Sequence, residues 1–486
     1  MKTTFGLMLF FLMVSLKAEV WVYPGPDPAL KSAAYEVTVI QNRSEFSSFV
    51  YQDANQFIDK KSSMTDFNHW TTFSFSGTIT VRVKKLTGDI GSCLIYPLND
   101  NVTPQISGSE LTFTLNEPKK LFLEMEGQYE HPLFIFADAP ETNIPDKNNP
   151  DVIWYGPGIH NIGPKYQLQS NKTYYLEGGS YVKGSLHGSA VSNVKITGRG
   201  ILSGIEIAHC GFKSCGFDGV GIHMYDGGIN QLIEGITITD PSSYCILSRG
   251  QITCRNVKCF GWWYETDGFG AGDNSLLDDS FFKVNDDVVK LYPQNMTIRN
   301  LVIYQQMNGA PFQFAWSSQS GRDGSISDID LIACEVSASP LWTSNKPFIN
   351  MRNGKNNSVS NFTFSNIRAD KDIASLIGIN TTGTCSGITI KDFIVRGKQM
   401  FASYLKGDTI SGITLENVTI GGNCVSQDLD IGLQIQGVVT SVKYVCSSSE
   451  TDKVNADSGR NIYPGQVPNS LTLKSEKCFP FLSGNY

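Results

Sequence analysis

The stretch "WWYETDGFGAGDNSLLDDSFFKVNDDVVKLY", residues 262–292, gathers Asp267, Asp273, Asp278, Asp279, Asp286 and Asp287 among aromatic and apolar residues, in a chain that is only 17% charged. Asp267 precedes Asp286 by 19 residues and Asp287 by 20. Three carboxylates held within a few ångströms cannot all ionise easily, so one keeps its proton near neutral pH. A protonated carboxyl beside an ionised one is what glycoside hydrolysis requires: one protonates the leaving oxygen and the other activates water. Clustered Asp also suits Ca²⁺. The Lys290 charge beside the cluster argues against a cation there, and no metal or cofactor is expected. Asp278 and Asp279 precede the strand "SFF" and Asp273 lies in "GAGDNS", so these three read as solvated turn acids. Trp262, Trp263, Tyr264, Tyr292 and Trp316 surround the remaining trio. Aromatic faces next to carboxylates suit sugar rings, which offer apolar C–H faces and hydroxyls together.

What could bring Asp267 beside Asp286 and Asp287 is a repeat. "IEGITITD", "ITCRNVKC", "MTIRNLVIYQ", "VSNFTFSNIRA", "SGITIKDFIVRG" and "SGITLENVTIGG" share a pattern of two short strands joined by a polar turn. Aligning Ile236, Val257, Ser280 and Leu301 gives spacings of 21, 23 and 21 residues; Ile367, Phe393 and Val418 give 26 and 25. A strand-and-turn repeat of that length predicts a parallel β-helix, whereas a propeller blade needs about 40 residues or more. Stacked coils lie about 4.8 Å apart, so residues one coil apart sit nearly on top of each other. Alternation in "FKVNDDVVKLY" turns Val289 and Leu291 inward and Lys290 and Tyr292 outward. Val284 has the opposite parity, which predicts a bend at Asn285–Asp287 that turns both acids out. Asn256, Asn300, Asn366 and Asn417 fall in the turns and read as αL or ladder residues.

The expected fold is all-β: an N-terminal β-sandwich followed by a right-handed parallel β-helix. Residues 1–18 read as a signal peptide, from Lys2, an apolar run too short to span a bilayer, and Ala18. Residues 19–140 alternate like an antiparallel sandwich ("YEVTVI", "TTFSFSGTITVRVKKL", "LTFTL"). Residues 141–486 form the β-helix catalytic domain, with a polar wrapping tail from about Cys446. Eight Asn-x-Ser/Thr sequons (Asn42, Asn101, Asn171, Asn295, Asn356, Asn361, Asn380 and Asn417) suit a secreted glycoprotein. Eleven cysteines suggest some disulfides; the pairs Cys210/Cys215 and Cys254/Cys259 read as bridges or as small buried residues. Loss of a leader holding Lys2 and Lys17 and no acid moves the formal charge from −7 to −9. An acidic chain disfavours nucleic acid and strongly anionic glycans as partners, and no membrane partner is expected.

"ETDG", "VNDDVVKLY" nineteen residues on, and "APFQFAWSS" resemble glycoside hydrolase family 49, the dextranases and isopullulanases. "WYGPGIHNIG" with "YYLEGGSYVKGSLHG" resembles that family's entry into its β-helix, and "SFVYQDA" with "TTFSFSGTITVRV" its sandwich, so the likeness runs over most of the mature chain. Polygalacturonases share the T-D-G and D-D arrangement but carry Gly-His-Gly and Arg-x-Lys soon after. This chain has no Gly-His-Gly, and its only later Arg-x-Lys is at Arg396 and Lys398, several coils too far on. The resemblance implies an inverting α-glucan hydrolase, with Asp286 as general acid and Asp267 and Asp287 holding the water. It implies substrate contacts from Lys290 and Tyr292, with Trp316 bordering a subsite. From the aromatic pattern, Trp263 and Trp316 are expected as sugar platforms or, alternatively, as core caps, and Gln313 is expected to bind substrate. Acid and base carboxyls about 6.5–9.5 Å apart would fit inversion.

These readings converge on a secreted, monomeric, endo-acting hydrolase of dextran-type α-1,6 glucan. Two other functions remain open from sequence: a hydrolase of another glycan, such as a galacturonan, on the same β-helix, and a non-catalytic carbohydrate-binding protein. The intact acidic trio weighs against the last.

Overall fold

The computed structural model describes residues 19–54, 67–127, 131–209, 216–335 and 346–447. Residues 1–18 (read above as a signal peptide), Cys210, Cys215 and most of the polar tail lie outside the described residues. Two sheets come first, one antiparallel and one mixed, with Leu133–Asp138 pairing in parallel with Phe67–Phe75 where an all-antiparallel sandwich was expected. One has five strands, ordered Ser44–Ser48, Tyr35–Gln41, Ile79–Lys85, Glu110–Leu115 and Gln105–Ser107. The other has six and includes Phe67–Phe75, Lys119–Met125 and Leu133–Asp138. Alternation sets the core between them: Val37, Val39, Val81, Val83, Leu111 and Phe113 face inward and their neighbours face water.

The six-stranded sheet departs from alternation. Phe67–Phe75 and Leu133–Asp138 are buried along nearly their whole length, because their outer face also packs. Tyr51, Trp70, Phe122, Phe134 and Phe136 join Tyr181, Phe260, Phe281 and Tyr304 of the later coils in one aromatic cluster. A strand covered on both faces has no polar side to alternate with. Buried polar contacts fasten this seam: Lys258 Nζ lies 2.5 Å from Asp138 Oδ2, Lys371 pairs with Glu124, and Asp370 Oδ2 accepts from the Leu98 N–H at 2.9 Å.

From Val152 the chain winds as 24 strands of one continuous sheet, nearly all paired in parallel, through to Gln434–Val445. This is the parallel β-helix that the repeat predicts. Ser280 pairs with Leu301, and Ile367, Phe393 and Val418 pair in sequence, as aligned above. Asn256, Asn300, Asn366 and Asn417 all have positive φ, between 49° and 56°. Asn300, Asn366 and Asn417 also donate to Asp278, Asp328 and Asp392, one rung back along the stack. The turn asparagines thus do both things expected of them, with aspartate as the lower rung. Asp278 and Asp279 are structural as read: Arg299 and Asn300 hold the first, and Lys120 of the sandwich pairs with the second.

Cysteine usage differs from one expectation. Cys254 and Cys259 are buried free thiols in consecutive strands, behaving as small core residues rather than as a bridge. Among the described residues, Cys424 and Cys446 form a disulfide near the last coil. No helix among the described residues is long and apolar enough to cross a membrane.

Candidate active site

Strand Leu276–Val284 stops before the two acids, and strand Val289–Lys290 starts after them. Between the two, Asn285–Val288 make the bend that the parity break predicts, and Val284, Val288 and Val289 are all buried. One coil below, Asp267 follows the non-strand segment 262–266. The coils are locked together there, with Gly268 N donating to Asp287 O at 2.9 Å and Cys245 N to Asp267 O at 2.8 Å. Gly309, in the next coil, crosses directly over Asp286. Its φ is +88°, and a Cβ there would lie 2.0 Å from the Asp286 carbonyl carbon. Gly309→Ala is therefore expected to destabilise the fold by about 2–4 kcal/mol. A urea titration checks this; an unchanged midpoint would show that the coil can shift.

One oxygen of each of Asp267, Asp286 and Asp287 lies within 4.8 Å of the others. Lys290 Nζ sits between two of them, 2.7 Å from Asp267 Oδ1 and 2.5 Å from Asp287 Oδ2. Asp287 also accepts from the Ala310 N–H at 2.9 Å and the Trp316 indole N–H at 3.0 Å. Asp286 is half-buried, and its Oδ1 accepts from the Asp287 N–H at 3.0 Å. The lysine occupies the place a divalent cation would take, so the donor set does not fit a metal. The expected separation of 6.5–9.5 Å is not what the site holds. All three acids come from one bend and the coil beneath it, and coil spacing limits how far apart they can be.

Charge crowding divides the three. Burial, then Asp267 and Asp287, hold the Asp286 carboxyl well above the usual carboxylate range, with Lys290 opposing weakly. Burial pushes Asp267 up to about 6, against Lys290 and a hydrogen bond from Tyr244. Burial alone would discharge Lys290, but Asp267 and Asp287 outweigh it and hold its pKa high. The arrangement is a half-buried carboxyl biased toward its protonated form, backed by a buried ammonium bridging two carboxylates.

The other expected site residues separate. Tyr292 is half-buried and, with Lys290, Tyr244 and Arg249, lines a cavity of about 730 Å³ beside the acids. Trp316 is half-buried, with the Arg352 guanidinium 5.3 Å from its ring, so it both holds Asp287 and borders the opening. Trp263 packs edge-on against Trp262 and tilted on Tyr264, away from the lining of that cavity. Lys290 is 4% exposed and engaged with the acids, so its reach is to them rather than to a sugar. Gln313 is fully buried, its amide bonded to Ala315 O and Asn350, and presents no group to a ligand. Sequence reasoning missed Tyr244, Asn285 and Asn308. The two asparagines tie the bend to the Trp262 and Tyr264 carbonyls. Tyr244 lies one coil below Asp267, and the same coil spacing could have found it.

No family profile matches the chain. An isopullulanase of Aspergillus niger is 24% identical over 486 residues, 82% of this chain and 86% of that protein. A dextranase of Arthrobacter sp. (strain CB-8) is 25% identical over 57% of this chain. That match spans about half, 52%, of the dextranase. Dex49A from Penicillium minioluteum superposes with a TM-score of 0.71 at 17% identity, covering 87% of this chain and 96% of that one. The chain is thus similar to dextranases and to an isopullulanase. The Dex49A likeness extends over the sandwich and the β-helix, so the two proteins share this fold.

Proposed function

We propose that the protein is a secreted hydrolase of α-glucan, with dextran-type α-1,6 linkages as substrate, working by inversion. The observation that supports this most is the gathering of Asp267, Asp286 and Asp287 within 4.8 Å, with Lys290 bridging Asp267 and Asp287. Asp286 is the general acid for the leaving oxygen. Asp267 and Asp287 hold a water, from which Asp267 takes the proton. A nucleophilic carboxylate would need a lone pair free to reach the anomeric carbon. Asp287 has Ala310 on one oxygen and Lys290 and Trp316 on the other, and Asp267 is held by Lys290. That favours the water route although the carboxyls lie closer than inverting pairs usually do. Secretion is supported by the leader-like start and the sequons.

Reducing ends should appear from dextran and not from polygalacturonate. A second substrate, pullulan, is favoured by the isopullulanase match, which covers more of both chains than the dextranase matches do. Binding of a glucan with no release of reducing ends would make the protein a lectin and remove this reading.

The pH dependence follows from Asp267. As pH falls through about 6 it takes up a proton and the base is lost. kcat/KM should therefore drop about tenfold per pH unit below that value, while Asp286, still protonated, keeps the rate up on the alkaline side. A profile flat from pH 4 to 7 would exclude Asp267 as the base.

A further inference from the structure

Asp240 takes no part in the chemistry proposed above, yet it is a carboxyl with 4% exposure, placed where the sandwich meets the β-helix. It follows strand Thr237–Thr239 in a positive-φ turn, and its N–H donates to Phe260 O on the next coil at 3.1 Å. Its Oδ1 accepts from the Trp262 indole N–H at 3.0 Å. Its Oδ2 accepts from the Ser203 hydroxyl at 3.3 Å, and Ser203 in turn bonds the Tyr181 hydroxyl at 2.9 Å. The next residue continues the contact: the Pro241 carbonyl accepts from the Thr266 hydroxyl at 3.1 Å. The turn at Asp240–Pro241 therefore grips residue 262 and residue 266, the two ends of the segment that leads into Asp267. Within that segment, Thr266 N donates to Trp263 O at 3.0 Å, closing it on itself.

The sandwich backs this contact. Trp70 stacks on Phe260 with ring centres 5.7 Å apart, and its indole N–H donates to the buried Asp53 carboxyl. Burial raises both carboxyls, Asp240 to about 6, and the charge on Asp240 raises Asp53 further. An apolar side chain would fill the same space without the cost of burying a carboxyl. It could not accept from Trp262 and Ser203 at once.

We infer that Asp240 is a positioning residue for the active site, fixing the 262–266 segment from the sandwich side so that Asp267 stands against Lys290 and Asp287. This rests on the reading of Asp267 as the base. A misplacement of about 1 Å at a reacting group costs on the order of 10² in rate.

The test uses the full-length protein and the variants Asp240→Ala, Asp240→Asn and Trp262→Phe, each checked for folding by circular dichroism. Two readouts are taken: kcat and KM on dextran, and the position of Asp267 in crystals. Asp240→Ala should lower kcat by roughly tenfold or more with KM within about twofold, and Asp267 should be displaced. Asp240→Asn keeps the acceptor and should restore kcat to within about threefold of wild type. Trp262→Phe should match Asp240→Ala, and the double variant should be no worse than either alone, because both break one contact. Should Asp240→Ala fail to fold, Asp240→Asn and Trp262→Phe carry the comparison. An unmoved Asp267 with unchanged kcat, or losses that multiply in the double variant, would overturn the inference. If the wild type hydrolyses no glucan, the functional reading falls by itself, and the displacement of Asp267 alone decides this one.

Discussion

Asp286→Asn is expected to lower turnover of dextran by a factor on the order of 10² or more while sparing much of the turnover of an activated α-glucosyl fluoride. The two substrates differ in how much protonation the leaving group needs, so the contrast isolates the acid. Crowding by burial, Asp267 and Asp287 is what keeps a proton on this residue, and asparagine preserves its shape without it. Asp267→Asn and Asp287→Asn should lose both substrates alike, since the water is no longer held. Proton NMR of the first product should show the β anomer from an α-linked glucan. Appearance of the α anomer first would replace inversion with a covalent route, for which the short spacing among the carboxyls would then be the explanation. Near-normal activity in all three variants would remove this bend from the chemistry.

Lys290→Met should be as damaging to turnover, on the order of 10² or more, and should also weaken the fold. Methionine leaves two buried carboxylates without the ammonium between them. Breaking a buried ion pair from one side costs about 3–5 kcal/mol. The sign with pH is definite. Without Lys290, Asp267 is harder to ionise, so its folded pKa moves further above the unfolded value. A raised folded pKa contributes stability that is present at low pH and lost as pH rises through that value. The deficit of the variant should therefore be larger at pH 7 than at pH 5, and the acid limb of its residual activity should move to higher pH. Urea titrations at the two pH values measure the first; equal deficits would show that the charge of Lys290 is not what the acids depend on.

The acidic trio was legible because a β-helix converts distance along the chain into height. A gap of 19 or 20 residues is one local coil, and a break in parity at Val284 marks a bend. The outward parity of Lys290 and the expected substrate contact at Gln313 were less informative. Both side chains do point away from the core, but outward is not the same as exposed: Lys290 meets the acids and Gln313 is covered by Asn350. Asn285 and Asn308 stand in or beside turns, where no period constrains a side chain, whereas Tyr244 lies one coil below Asp267 and was within reach of the spacing. The double-sided burial of Phe67–Phe75 and Leu133–Asp138 was invisible for a different reason. A strand's second face is decided by what docks on it, and the partners lie more than a hundred residues ahead.

That last feature bears on the order of folding. Coils of the β-helix pair with neighbours about 20–40 residues away, so they can zip up one upon the next at a modest loop-closure cost. The seam is different: Asp138 meets Lys258, Glu124 meets Lys371, and Leu98 meets Asp370 across 120, 247 and 272 residues. Contacts of such long range form late unless something local brings them together. Much of the strand content, including the contacts that hold the segment entering Asp267, can then arise before the sandwich docks. A refolding chain would pass through a state that is well ordered along its coils, the catalytic bend included, with its aromatic seam still uncovered.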